Sequence, residues 1–73
     1  MKRNMESGVR QTLIAKLREG GKTEQEATAL ADKHNAAGVQ YVYERASLYT
    51  ASDGDSAYDK AFADLSEWAN SLA

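Results

Sequence analysis

His34 is the first residue to consider for chemistry, because it is the only histidine in a chain that has no cysteine. A nucleophilic centre would need a serine or threonine activated by this imidazole. His34 falls instead on an apolar helical stripe with no catalytic motif around it, which is typical of a packed histidine. Carboxylates that could act as acid and base are predicted on solvent faces or near helix starts. We therefore expect a protein that is not an enzyme.

The second candidate for chemistry is Asp53-x-Asp55, which begins like a calcium-binding loop. The rest of such a loop is missing, because Ala57 stands at its fifth position and Tyr58 replaces the glycine at its sixth. Asp64 replaces the glutamate at the twelfth position. No glycine-rich phosphate loop and no transition-metal motif follows elsewhere. We expect no metal and no cofactor, and interpret these aspartates as helix-capping residues.

Charge is sorted along the chain. Residues 1–22 carry six basic and two acidic side chains, whereas residues 51–73 carry five acidic and one basic. The net charge of −2 therefore hides a dipolar molecule, which bears on its partners and orientation. Bases near a helix C-terminus and acids near an N-terminus are ordinary helix chemistry, but cations near an N-terminus are not. The charges that we take as candidate partner contacts are Lys2, Arg3, Arg10, Asp53, Asp55 and Asp59.

The core predicted for these 73 residues is small. A chain of this length forms one domain and buries only about 60% of the surface of its unfolded form. Without cysteine there is no disulfide, so we expect tight helix packing, a homo-oligomer or a protein partner to supply stability. The large hydrophobic residues expected to do most of the burying are Val9, Leu13, Ile14, Leu17, Leu30, Val39, Val42, Leu48, Phe62, Leu65, Trp68 and Leu72.

The composition indicates an all-α fold. The chain has no proline, few β-branched residues and many strong helix formers. It lacks an apolar run of about 18 residues, so we expect a cytoplasmic protein with no membrane contact. We predict a single domain over residues 1–73, a small bundle of three helices with a long central helix, in which residues 1–4 form a basic tail.

The first helix is predicted to begin near Asn4 or Ser7 and to run to Glu19, before Gly20-Gly21 ends it. Its apolar positions recur every fourth residue, which places them on one face. The residues of that face are Met5, Val9, Leu13 and Leu17.

The second helix is predicted to begin at Thr23, which forms a capping box with Glu26. Its end is ambiguous, because Asn35 to Gly38 resembles a C-terminal cap although the apolar stripe continues through it. We favour one long helix, and a break there would give four helices. The stripe consists of Ala27, Leu30, Ala31, His34, Gly38, Tyr41, Val42, Leu48 and Tyr49, with Arg45 as an interruption.

The last helix follows a predicted loop over residues 52–56, where Gly54 lies among capping residues. Its apolar positions recur at spacings of three and four residues, so they predict a packed face rather than a ligand platform. That face consists of Tyr58, Ala61, Phe62, Leu65, Trp68, Ala69 and Leu72.

Nucleic-acid binding is the main alternative function. Residues 30–47 could form a helix-turn-helix with residues 35–38 as the turn. The recognition helix would then offer only Arg45 as a cation, beside Glu44, whereas phosphate contacts depend on lysine and arginine. We therefore disfavour a nucleic-acid partner.

One short stretch has a family resemblance. Ala36-Ala37-Gly38-Val39, followed by Tyr43-Glu44-Arg45, is similar to a segment of the theta subunits that accompany bacterial replicative polymerases. This chain places the stretch later than that family does and has none of the prolines expected after it. We carry neither fold nor function over from the resemblance.

The sequence thus favours a non-enzymatic protein-binding module, in which charge sets orientation and on-rate. Our hypothesis is a small acidic regulator of the phage or mobile-element type that docks on a larger host enzyme, such as a polymerase or a nuclease, and modulates it. Tyr41 and Tyr43 are the apolar anchors that we expect to be exposed. A self-associating structural helical protein is a further alternative.

Overall fold

The protein is an all-α bundle of three helices. The computed structural model describes residues 5–72, apart from the side chains of residues 51–53 and 55. Helix α1 spans Met5–Glu19, α2 spans Glu24–Asp53 and α3 spans Ala57–Asn70, with a 3₁₀ turn at Gly54–Ser56. No strand occurs within these residues. The predicted fold class is confirmed, and so is the long central helix, which packs against both of its neighbours.

Helix α1 has the predicted apolar face, since Met5, Val9, Leu13 and Leu17 are all buried. It ends where the paired glycines were expected to end it. The Lys22 amide donates to the Leu17 carbonyl at 3.0 Å, and Gly21 has a φ of 105°, which glycine adopts without strain. Ser7 lies inside the helix, and the proposed cap at Asn4 lies outside the described residues, as does the predicted tail 1–4.

Helix α2 begins with the predicted capping box. The Glu26 amide donates to the Thr23 hydroxyl at 3.1 Å, and the Thr23 amide donates to the Glu26 carboxylate at 3.1 Å. These two bonds satisfy amides that a helix start otherwise leaves without partners. The direct amide bond to Thr23 is also the main cause that lowers the pKa of Glu26.

Helix α2 continues without a break through residues 35–38. Gly38 is buried there, and a Cβ added to it would lie 2.7 Å from Cγ1 of Val9 and 3.5 Å from the Trp68 ring. The glycine therefore allows α1 and α3 to approach α2 closely and does not terminate a helix. The four-helix alternative is wrong, and the turn on which a helix-turn-helix would depend is not present.

The predicted loop over residues 52–56 is also wrong in its extent. Helix α2 runs to Asp53, and only a 3₁₀ turn separates it from α3. Gly54, with a φ of 53°, redirects the chain while its amide donates to the Thr50 carbonyl. Asp53 thus belongs to the last turn of α2 and not to the start of α3. Ser56 occupies the N-cap position of α3, but its side chain does not cap the helix.

The core is as small as the composition suggested. Helix α3 buries a row made mostly of alanine, namely Ala57, Ala61, Leu65 and Ala69. The predicted aromatic residues Phe62 and Trp68 pack against this row while remaining half-buried. Leu48 was expected to be buried, and that prediction is wrong because its side chain is 70% exposed.

Candidate protein-binding surface

The densest group of ionisable side chains lies between α2 and α3 around Asp64. Its carboxylate accepts a hydrogen bond from the Tyr49 hydroxyl and one from Nε of Arg45 at 3.1 Å. The Tyr41 hydroxyl donates to the backbone carbonyl of Asp64 at 3.5 Å. We call Tyr41, Arg45, Tyr49 and Asp64 the Asp64 cluster. Arg45, which interrupts the apolar stripe of α2, and Asp64, which was predicted off the packing face of α3, neutralise each other there.

The Asp64 cluster is suited to holding two helices together rather than to moving protons. The bond from Tyr49 and the pairing with Arg45 keep the pKa of Asp64 below its usual range, so the group is a weak base. The bond to Asp64 raises the pKa of both Tyr49 and Arg45. All three groups therefore keep one charge state at neutral pH. Because the Arg45 guanidinium is paired with Asp64, it is not free to bind a nucleic-acid phosphate.

Tyr41, expected to be an exposed anchor, is half-buried instead. Its ring stacks on Trp68 with centroids 5.4 Å apart, and the Arg45 guanidinium lies 5.8 Å from the ring centroid. The prediction of an exposed Tyr41 is wrong. This residue contributes to the α2–α3 interface, where stacked rings and a nearby cation add to the packing.

Arg10, one of the candidate cations, has a partner inside the bundle. Its Nε donates to Oδ1 of Asp32 at 2.8 Å, joining α1 to α2 on an exposed flank. This ion pair gives a structural reason for a cation near the start of α1. Lys2 and Arg3 lie outside the described residues.

The start of α1, which the candidate basic residues Lys2 and Arg3 precede in sequence, does not lie at the end of the bundle opposite the acidic group. The Asn35 side-chain amide donates to the Glu6 carbonyl at 3.3 Å, which places the start of α1 beside the middle of α2. Among the predicted acids, Asp53 ends α2, Asp55 lies in the 3₁₀ turn and Asp59 is exposed in the first turn of α3. The acidic group therefore lies at the C-terminal end of α2. Three of the described basic residues, Lys16, Arg18 and Lys22, lie at the α1–α2 connection beside the other end of α2, where Glu19, Glu24 and Glu26 accompany them.

Apart from Tyr43, sequence reasoning did not identify the exposed side of α2 that the packing against α1 and α3 leaves uncovered. We call it the outer face of α2. Its exposed members are Lys33, Ala36, Ala37, Gln40, Tyr43, Glu44, Ser47 and Leu48. Lys33 and Glu44 are the only charged residues of this set, and Glu44 accepts a hydrogen bond from Gln40 at 3.3 Å. A sequence signal was available, because residues 35–43 and 46–52 contain no charged residue.

Two large side chains stand out on the outer face. Tyr43 is 49% exposed and Leu48 is 70% exposed. Tyr43 was predicted to be an exposed anchor, and it rests edge-on against Tyr58 with ring centroids 6.3 Å apart. Single exposed apolar residues are common, but an exposed tyrosine and leucine on a surface depleted in charge resemble the centre of a protein interface.

No protein-family model, curated protein or solved structure matches this chain. Among residues 5–72, no helix combines the length and the apolar character that crossing a bilayer requires. Among the side chains that the structure describes, which leave out those of residues 51–53 and 55, no three histidine or acidic groups lie together so that they could hold a metal ion.

Proposed function

We propose that this protein is a non-enzymatic binding module that docks on a larger protein through the outer face of α2. The observation that carries the proposal is the exposure of Tyr43 and Leu48 on a face where Lys33 and Glu44 are the only charged residues. Tyrosine is a frequent anchor at interfaces, because its ring adds contact area at a low entropic cost.

The bundle presents this face on a rigid support. Helix α2 is 30 residues long, and its opposite side is fixed by α1 and by α3. The Asp64 cluster and the Tyr41–Trp68 stack hold the half of α2 that carries Tyr43 and Leu48. A preorganised surface loses little conformational entropy when it binds.

The partner that we propose is a host enzyme such as a polymerase or a nuclease, whose activity the module regulates. Support for this class is electrostatic. The chain carries Asp53, Asp55 and Asp59 next to the end of α2 that bears Leu48. Acidic groups at that position would favour a partner with a basic surface, such as a nucleic-acid channel, and would orient the docking.

Affinity capture from a bacterial lysate tests the proposal. Wild type is compared with a Tyr43→Ala/Leu48→Glu variant and with a matched control, Ala63→Glu, at an exposed position of α3. We expect the control to retain the proteins that wild type captures and the outer-face variant to lose them, with unchanged helix content by circular dichroism. Retention of every captured protein by the outer-face variant would show that the proposal is wrong.

The orientation by charge has a test of its own. An Asp53→Lys/Asp55→Lys variant should capture the same partner more slowly and with a weaker dependence on salt, because rim charges act mainly on the association rate. Surface plasmon resonance at two salt concentrations measures both. An unchanged association rate would show that Asp53 and Asp55 do not orient the docking.

A further inference from the structure

We propose that a second copy of this chain docks antiparallel on the outer face of α2, centred between Ala37 and Gln40. The inference rests on the proposed function in using the same surface, and it names a partner that fits that surface. It starts from a line of four exposed residues, Lys33, Ala37, Gln40 and Glu44. Their spacings of four, three and four residues place them on one stripe of the helix.

This stripe is self-complementary in charge. When two identical helices pair about a two-fold axis, each contact occurs twice. An axis between residues 38 and 39 brings Ala37 opposite Gln40 and Lys33 opposite Glu44 of the second copy. Lys33 of one copy and Glu44 of the other then lie on the same side of the two-fold axis, each about 8 Å from it as measured along the helix. The pairing forms two equivalent ion pairs.

The charged residues of the stripe are available for such a pairing. Neither Lys33 nor Glu44 has an ion-pair partner within the described part of the chain. Glu44 holds only the Gln40 amide, and that bond joins two exposed side chains. Lys33 and Glu44 can therefore both form ion pairs with a second molecule.

The shape of the stripe suits the same register. Ala36 and Ala37 lie at the crossing point, where small side chains let two helices approach closely. Leu48 of one copy lies opposite Ala29 of the other, where the half-buried Leu30 is adjacent. Moving the axis toward residue 44 would place the two Glu44 carboxylates together, so repulsion disfavours that alternative.

Charge reversal tests this register. Sedimentation equilibrium should show a reversible dimer for wild type and a dimerisation constant weakened about tenfold or more for Lys33→Glu and for Glu44→Lys. An equimolar mixture of the two variants should dimerise again, because the mixed dimer has two attractive pairs, one with its signs exchanged and one identical to the native Lys33–Glu44 pair. A wild type that stays monomeric at millimolar concentration, or a mixture no more associated than its components, would overturn the proposal.

Cross-linking gives a second readout. The chain has no cysteine, so each introduced cysteine is the only thiol of its variant. Since Ala37 lies opposite Gln40 in the proposed dimer, a mixture of the Ala37→Cys and Gln40→Cys variants should form a mixed disulfide on mild oxidation. The matched control Ala63→Cys, on α3, should not do so with either. Equal cross-linking by the control would contradict the antiparallel pairing.

The two proposals fail separately. If wild type is monomeric while capture of a larger protein depends on Tyr43 and Leu48, the dimer is wrong and the proposed function stands. If the charge-exchanged mixture dimerises and no larger protein is captured through this face, the dimer stands and the proposed function is wrong.

Discussion

Gly38 illustrates how one missing methyl group positions three helices. Its Cα lies where Val9, Leu13 and Trp68 converge, and an added Cβ would meet Val9 at 2.7 Å. A glycine inside a helix normally destabilises it relative to alanine. Here that cost is offset by closer packing of α1 and α3 on α2. Gly8 differs, since its Cβ would meet the Phe62 ring at an ordinary 3.4 Å.

The two glycines should therefore respond to the same substitution with opposite signs. Gly38→Ala should lower the free energy of unfolding by about 1–3 kcal/mol, because Val9 has to move in a packed core. Gly8→Ala should raise it by about 0.5–1 kcal/mol through helix propensity. Urea unfolding followed by circular dichroism measures both. A Gly38→Ala protein as stable as wild type would show that the close contact is not a packing constraint.

Because of the Asp64 cluster, we expect the free energy of unfolding to fall at both acid and alkaline pH, and we call these two decreases the acid and alkaline limbs. The folded pKa of Asp64 is lowered, so its stabilisation is present above the unfolded value of about 3.9 and is lost as pH falls through the folded pKa. The folded pKa of Tyr49 is raised, so its stabilisation is present below about pH 10 and is lost as pH rises through the folded pKa.

Tyr49→Phe should weaken both limbs, because it removes the group that titrates at alkaline pH and the main bond to Asp64. The measurement is the urea midpoint of wild type and variant from acid to alkaline pH, whose difference isolates the cluster from other carboxylates. Tyr43→Phe is the matched control and should keep both limbs. A Tyr49→Phe profile parallel to that of wild type at both extremes would contradict the assignment.

At the residue scale, periodicity predicted the α1 and α3 faces but not the exceptions on α2. A hydrophobicity pattern treats Arg45 and Asp64 as solvent-facing, because it cannot show that two distant charges meet between helices. Leu48 falls on the apolar stripe yet is exposed, because the α2 stripe drifts around the helix over its 30 residues. The sequence therefore predicts one of the two exposed side chains of the outer face, Tyr43, and misses the other, Leu48.

At the scale of elements, the signals that lie within a few residues were reliable. The capping box at Thr23 and the glycine pair after Glu19 correctly predicted two helix ends, the start of α2 and the end of α1, because each depends on local backbone hydrogen bonds. The α2–α3 connection was predicted less well. Aspartate, serine and glycine over residues 52–56 are typical of a loop, yet α2 retains helical backbone to Asp53 while it packs against α3.

The capping box makes α2 sensitive to a single exposed hydroxyl. Thr23→Ala should lower the free energy of unfolding by about 1 kcal/mol, since it leaves the Glu26 amide without its partner. Thr23→Ser keeps the hydroxyl and should stay close to wild type. Thermal and urea unfolding compare the three proteins, and equal stability of the alanine and serine variants would show that the side-chain bond contributes nothing.

At the scale of the whole molecule, the bundle separates residues that stabilise it from residues available to partners. Leu65 is fully buried among the three helices, whereas Leu48 is 70% exposed on the outer face. The same residue type thus occupies both environments, which gives a matched comparison within one chain.

Leu48→Ser should change the free energy of unfolding by no more than about 0.5 kcal/mol, because it removes no core contact. Leu65→Ala should lower it by about 2–5 kcal/mol through a cavity in a small core. Dilute protein should be used for the urea titrations, so that self-association does not add to stability. A loss for Leu48→Ser comparable to that for Leu65→Ala would place Leu48 in the core after all.

The convergence of α1 and α3 on Gly38 also determines how the bundle comes apart. Each outer helix forms an antiparallel hairpin with a different stretch of α2, and the two hairpins share contacts around that glycine. Amides in the middle of α2 can therefore exchange with solvent only when both hairpins open, whereas those near its ends need one to fray. We expect the amide exchange rate to be lowest around Gly38 and to increase toward both ends of α2.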